Sequence, residues 1–172
     1  MAAAVVQLQV ATGAGPTFAS GESGFKYNRE DTISGTTPVP IPTATGSNYS
    51  WLKWLCLSIT TSGTTAISNR RVQLSAAETS GLALFFQGNV TYAQATSANM
   101  PAASGSNGPA TPASFTRATS ASQVYDSASI SASATGRNGW YCETCLGVDA
   151  TYAGGAGNAV ALPDVRLIYD EA

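Results

Sequence analysis

Twelve residues near the first third of the chain, Tyr49–Thr60, constrain the fold more than any others. They read YSWLKWLCLSIT. In an extended strand Lys53, Leu55, Leu57 and Ile59 fall on one face, and Leu52, Trp54, Cys56 and Ser58 on the other. Both faces are largely apolar, so this strand must be central and covered on both sides. The rest of the sequence offers further short strands to surround it. Val5–Val10, Phe25–Arg29, Ile67–Leu74, Leu82–Gln87 and Trp140–Val148 read as strands, and Gln123–Ser133 resumes alternation through Val124 and Ile130. Asp164–Asp170 closes the series, with Val165, Leu167 and Tyr169 on one face.

The connections read as turns and loops. Thr61–Thr65 is a turn whose spacing predicts a hairpin between Tyr49–Thr60 and Ile67–Leu74. Ser75-Ala76-Ala77-Glu78 matches a capping box, but Gly81 follows at once and leaves room for one helical turn at most. Ala11–Glu22 is loop-like, and Arg137-Asn138-Gly139 signals a turn. Tyr92–Ser122 contains Pro101, Pro109 and Pro112 and reads as a long surface loop. The expected fold is all-β, an antiparallel β-sandwich or jelly-roll with long Pro/Gly/Ser-rich loops. Residues 1–48 form an N-terminal strand and an extended Pro-rich arm, and residues 49–172 the sandwich domain, together one structural unit.

Composition narrows the function classes. Ala, Ser, Thr and Gly make up half of the 172 residues, and charged residues only 10%, where an ordinary domain has about 25%. Histidine is absent from the sequence, so histidine-based acid–base catalysis and histidine–metal sites are excluded. The net charge is −2, the two lysines are Lys26 and Lys53, and Arg70–Arg71 is the one adjacent basic pair. Neutralising several phosphates needs clustered basic residues, so no nucleic acid and no membrane surface is expected as a partner. The N-terminal MAAAVVQLQVATGAG has no positive n-region and predicts no signal peptide. Three cysteines, Cys56, Cys142 and Cys145, are an odd count and fit a reducing compartment better than a disulfide framework.

Several motifs that carry chemistry elsewhere have plainer readings in this chain. Ser50-Trp51-Leu52-Lys53 spells S-x-x-K, but that chemistry needs one helical face, and residues three apart in a strand point to opposite sides. Cys142-Glu143-Thr144-Cys145 is a CxxC to which Cys56 could add a third zinc ligand, with only an unusual carboxylate such as Glu143 as a fourth, and it lacks the helix of a redox motif. It reads as two small apolar side chains on opposite faces, with a labile disulfide as the alternative. Gly154–Asn158 is glycine-rich without a following helix and reads as a flexible turn. Asp126, Asp149, Asp164, Asp170 and Glu171 are scattered, a poor basis for a carboxylate pair. Trp51, Trp54, Trp140 and Tyr141 fill a core, or alternatively form a sugar-stacking platform. No catalytic, cofactor-binding or metal-binding residue is assigned, and an enzyme is not expected.

The surface points instead to association. Sheet edges are normally guarded by lysine or inward charge, and two lysines cannot guard many. Small polar side chains suit close-packed subunit interfaces. Pro38-Val39-Pro40-Ile41-Pro42 places proline at every second position, which favours an extended segment without ladder donors. Pro38, Pro40 and Pro42, with Pro101, Pro109 and Pro112 of the long loop, are the candidate partner contacts.

Three stretches resemble small virion proteins of tailed bacteriophages. They are FKYNREDTISGTTPVPIPTATGSNYSWLKWLCLSITTSGTTAISNRRV (25–72), ANMPAASGSNGPATP (98–112) and GVDATYAGGAGNAVALPDVRLIYDEA (147–172). The likeness is one of composition and rhythm and covers about half the chain. It implies a β-rich structural component of a phage particle, made in the host cytoplasm and located in the virion. Within that group it implies a head decoration or cement protein, bound to the major capsid protein and to copies of itself as a homotrimer. It implies no catalytic residue and no cofactor. A tail or neck component is the neighbouring alternative. A glycan-binding module is the alternative from another class, and would need Trp51, Trp140 or Tyr141 exposed.

Overall fold

A computed structural model describes residues 3–20, 25–44, 46–63, 66–89, 91–97, 114–133, 135–154 and 163–171, with backbone alone at 89 and 137–140. Among them are eleven strands and no α-helix. They are β1 (Val5–Thr12), β2 (Thr17–Ser20), β3 (Ser47–Tyr49), β4 (Lys53–Thr61), β5 (Ala66–Leu74) and β6 (Leu82–Asn89). Then follow β7 (Thr116–Arg117), β8 (Gln123–Asp126), β9 (Ile130–Ser131), β10 (Gly136–Asp149) and β11 (Val165–Glu171). The fold is an all-β sandwich of antiparallel sheets. The larger sheet, A, runs β2-β1-β4-β10-β6-β7, with β3 also on β10. The smaller, B, runs β11-β5-β8, with β9 also on β5.

β4 is central, as its two apolar faces demand. β1 lies along one edge (Leu8 opposite Leu57, Val10 opposite Leu55) and β10 along the other (Cys142 opposite Leu55). Every residue from Lys53 to Ile59 is buried. With both edges of β4 occupied, β5 cannot pair with it. The expected hairpin is therefore not formed: the chain crosses after Thr61 to the other layer, where β5 meets β11 and β8.

Other expectations are corrected in the same way. Phe25–Arg29 is not a strand but part of an irregular segment. Ala11–Glu22 is not wholly loop. β1 turns back into β2 through Gly13, whose φ of +89° favours glycine. Arg137-Asn138-Gly139 does not end a strand. It lies inside β10, where the register against β4 slips between Arg137 and Tyr141, so the turn-forming residues make a bulge. The Ser75–Glu78 box caps no helix. Glu78 instead accepts from the backbone N–H of Leu84 and from Arg117 Nε (2.9 Å), tying β6 to β7. Part of the long 92–122 loop is ordered by the pairing of β7 with β6.

The two faces of sheet A carry separate cores. On the inner face Val10, Leu55, Leu84, Phe86 and Cys142 meet Val72 and Leu74 of sheet B. On the outer face Trp54, Cys56, Ala83, Phe85 and Cys145 are joined by Tyr49, Leu52 and Tyr141, with Trp51, Tyr92, Phe18 and Phe115 packed against them. Sheet B covers only part of the inner face. The 25–44 segment covers the remainder: Phe25, Tyr27 and Ile33 pack on the Leu55 cluster, and Val39 is buried against Leu82, Leu146 and Val148.

Candidate functional site

The segment 25–44 is the most elaborately held non-strand region described, and it includes the proline run. Its backbone makes few bonds of its own: Lys26 N–H to Ile33 O (2.8 Å) and Arg29 N–H to Thr37 O (3.0 Å). Trp51 N–H also donates to Asn28 O at 2.9 Å. A chain this irregular leaves carbonyls that need donors, and β4 supplies one. Lys53 points inward from the first position of β4 and is 1% exposed. Its Nζ donates to Asn28 Oδ1 (2.7 Å), Glu30 O (2.6 Å) and Thr32 O (2.7 Å). An ammonium has three donors, and all three are used. Burial pulls its pKa down to about 8, against the opposing pull of the Asp31 and Glu30 charges.

Around this centre the loop is closed by side chains. Asn28, 3% exposed, donates from Nδ2 to Gly35 O (2.8 Å). The Glu30 carboxylate accepts from Thr36 N–H (3.1 Å), Thr37 N–H (2.7 Å) and the Thr37 hydroxyl. The Thr37 hydroxyl and N–H hold the Glu30 carboxyl below the usual range. A Cβ at Gly35 would meet that carboxylate and have to displace it. Asp31 Oδ2 accepts from Gly13 N–H (2.9 Å), and the Tyr92 hydroxyl donates to Gly13 O (2.7 Å). The β1–β2 turn and the start of the long loop are thereby fastened to the same knot.

The proline run leaves this base lying on its own chain. Val39 is buried and Ile41 half-buried, while Pro38 and Pro40 are exposed and Pro42 is half-buried. Asn48 Nδ2 fixes its far end by donating to Pro40 O (2.8 Å). Pro101, Pro109 and Pro112 lie outside the described residues, as does most of the Gly154–Asn158 turn.

The remaining motifs are dispersed. Ser50 is fully buried, and its Oγ accepts from Leu146 N–H (2.9 Å) and donates to Trp51 O (2.9 Å), partners separate from those of Lys53. Cys142 packs on the inner face of sheet A and Cys145 on the outer. Both thiols, like that of Cys56, are buried and outside any disulfide, and burial pushes the first two well above the ordinary thiol range. Asp126 pairs with buried Arg70, Asp170 with Arg71 and Asn69, and Glu171 accepts from Ala4 N–H. Asp149 holds Thr151, and Asp164 is exposed. Among the described residues no three Cys, Asp or Glu side chains gather where a metal ion could sit.

Trp54 is 2% and Tyr141 9% exposed, stacked edge-on at 5.6 Å, with Tyr92 5.2 Å from Trp54. These rings are core, and Trp51 is half-buried beside them. The side chain of Trp140 lies outside the described residues.

Sequence reasoning singled out Lys53 through the wrong motif. The signal that could have led to its role is a lone lysine inside an otherwise apolar central strand, which cannot be buried without acceptors. Compared with protein-family models, with curated proteins and with solved structures, the chain gives no match.

Proposed function

We propose that this chain is a non-enzymatic structural protein of a tailed-phage particle, a head decoration (cement) protein. In this reading it binds the major capsid protein and copies of itself, as a homotrimer, and resides in the virion. The three phage-like stretches support the class. The observation that carries the role is the way the proline run is mounted. Its apolar Val39 and Ile41 face the sheet, its exposed Pro38 and Pro40 face out, and the buried knot at Lys53 fixes its base. A prolyl surface held this way offers a partner a contact with little conformational entropy left to lose. Few charges would have to be desolvated at such an interface, since only 10% of residues are charged.

The test is immunogold electron microscopy of phage particles from the producing strain. Gold on the head is the expected result. Gold on the tail or neck would keep the virion class and remove the cement role, and particles without label would overturn the reading. Binding of the purified protein to undecorated capsids should fall when Pro38 and Pro40 are both replaced by Ser.

A further inference from the structure

The contact between Lys53 and Asn28 has the makings of a covalent bond. Lys53 Nζ and the Asn28 side-chain amide meet at 2.7 Å, with residue exposures of 1% and 3%. The amide cannot turn away. Its Nδ2 is committed to Gly35 O at 2.8 Å, and its Oδ1 accepts from Glu30 N–H at 3.2 Å as well as from Nζ. The electrophilic carbon is one bond from that oxygen, and the nucleophile is held on it by a rigid central strand. Such enforced proximity can stand in for very high effective concentrations. We propose that Lys53 and Asn28 condense spontaneously to an intramolecular isopeptide bond, tying the 25–44 segment covalently to β4.

The step balances without an oxidant or cofactor. The free amine of Lys53 attacks Cγ of Asn28, and an Nζ–Cγ bond forms. Negative charge developing on Oδ1 is met by the Glu30 N–H, a backbone donor already in place. A proton passes from Nζ to Nδ2, the Cγ–Nδ2 bond breaks, and ammonia leaves. The proton first shed by the lysine ammonium departs with it, so that one ammonium ion is released per bond made. Asp31 and Glu30 lie on the same loop, and their charges act on Lys53. Burial also lowers the affinity of Lys53 for its proton, to a pKa of about 8, so the free amine is within reach near neutrality. This inference does not depend on the phage reading.

Mass spectrometry decides it. The full chain is purified, held folded at about pH 8, then denatured and weighed. The expected mass is lower than the sequence mass by one ammonia. Tryptic digestion should then give a branched product, in which Tyr27-Asn28-Arg29 is joined through the uncleaved Lys53 to the stretch 30–70. Lys53→Arg keeps a buried cation without the nucleophile, and should restore the full mass and remove the branch. Full mass in the natural chain, with separate peptides ending at Arg29 and at Lys53, would overturn the proposal. So would a deficit that maps to a succinimide at Asn138-Gly139 instead.

Discussion

The inner face of sheet A is covered in two different ways. Over one part, β5 and β11 bring Val72, Leu74, Val165 and Leu167 down in a ladder-bonded sheet. Over the other, the 25–44 segment brings Phe25, Tyr27, Ile33, Val39 and Ile41 without forming a strand. Both bury apolar side chains, but only the first satisfies its backbone as a by-product of its geometry. The second has to import donors and acceptors, and does so with a buried ammonium, a buried amide and a carboxylate. The regular layer uses its polar side chains to pair its own strands, Arg70 with Asp126 and Arg71 with Asp170, whereas the irregular layer over the same sheet depends on a few polar atoms to hold its backbone.

Substitutions should expose that contrast. Leu74→Ala, under sheet B, should cost about 3–4 kcal/mol through lost burial and the cavity left behind. It should lower the urea midpoint of a single cooperative transition with little change in slope. Lys53→Met should cost about 3 kcal/mol, because three oxygens lose their donor in the interior. Here the damage should be local: proteolysis should cut within 25–44 before the sheets unfold. Cuts spread evenly over the chain would break the comparison. Val39→Ala should cost about 1–2 kcal/mol. Pro38→Ser with Pro40→Ser should cost about 1 kcal/mol, through the freedom returned to the unfolded chain rather than through lost contacts, since both residues are exposed.

The pH dependence separates the same regions. Burial pushes Tyr49 and Tyr92 up to about 12, and Tyr27 and Tyr125 higher still. A phenol whose folded pKa is raised contributes stability that is complete below its unfolded pKa of about 10 and lost as pH rises past it. Alkaline unfolding should therefore begin above pH ~10, with tyrosinate absorbance appearing together with loss of structure. Glu30 works in the other direction. Its folded pKa is depressed, so its contribution is present above the ordinary carboxylate range and lost as pH falls through the lowered value. Acid should loosen the 25–44 segment, seen as faster amide exchange at Thr36 and Thr37.

What the sequence made legible follows from these same physical differences. β4, β6 and β11 could be read because their apolar residues repeat with the pleat over several positions. β2, β3 and β7 have only two to four residues each and exist because a neighbour's edge is open, which no local pattern records. Pairing was less legible than existence. Ile67–Leu74 was correctly a strand, yet its partner was decided by the occupancy of both edges of β4. Arg137-Asn138-Gly139 carries the chemistry of a turn, and a bulge uses that same backbone freedom inside a long strand. The knot at Lys53 was illegible because its acceptors lie more than twenty residues earlier, two of them backbone carbonyls that have no signature in sequence.

The order of strands in sheet A also sets when the protein can come into being on the ribosome. β4 emerges early, but one of its two edges waits for β10, which is made after β5 through β9. Until Gly136–Asp149 has left the exit tunnel, the central strand of sheet A stands half-open, able to recruit a passing nascent chain in place of its own partner. Long-range pairing of this kind is slow and exposes aggregation-prone edges. Synthesis in many copies at once would therefore place a premium on chaperone capacity in the producing cell.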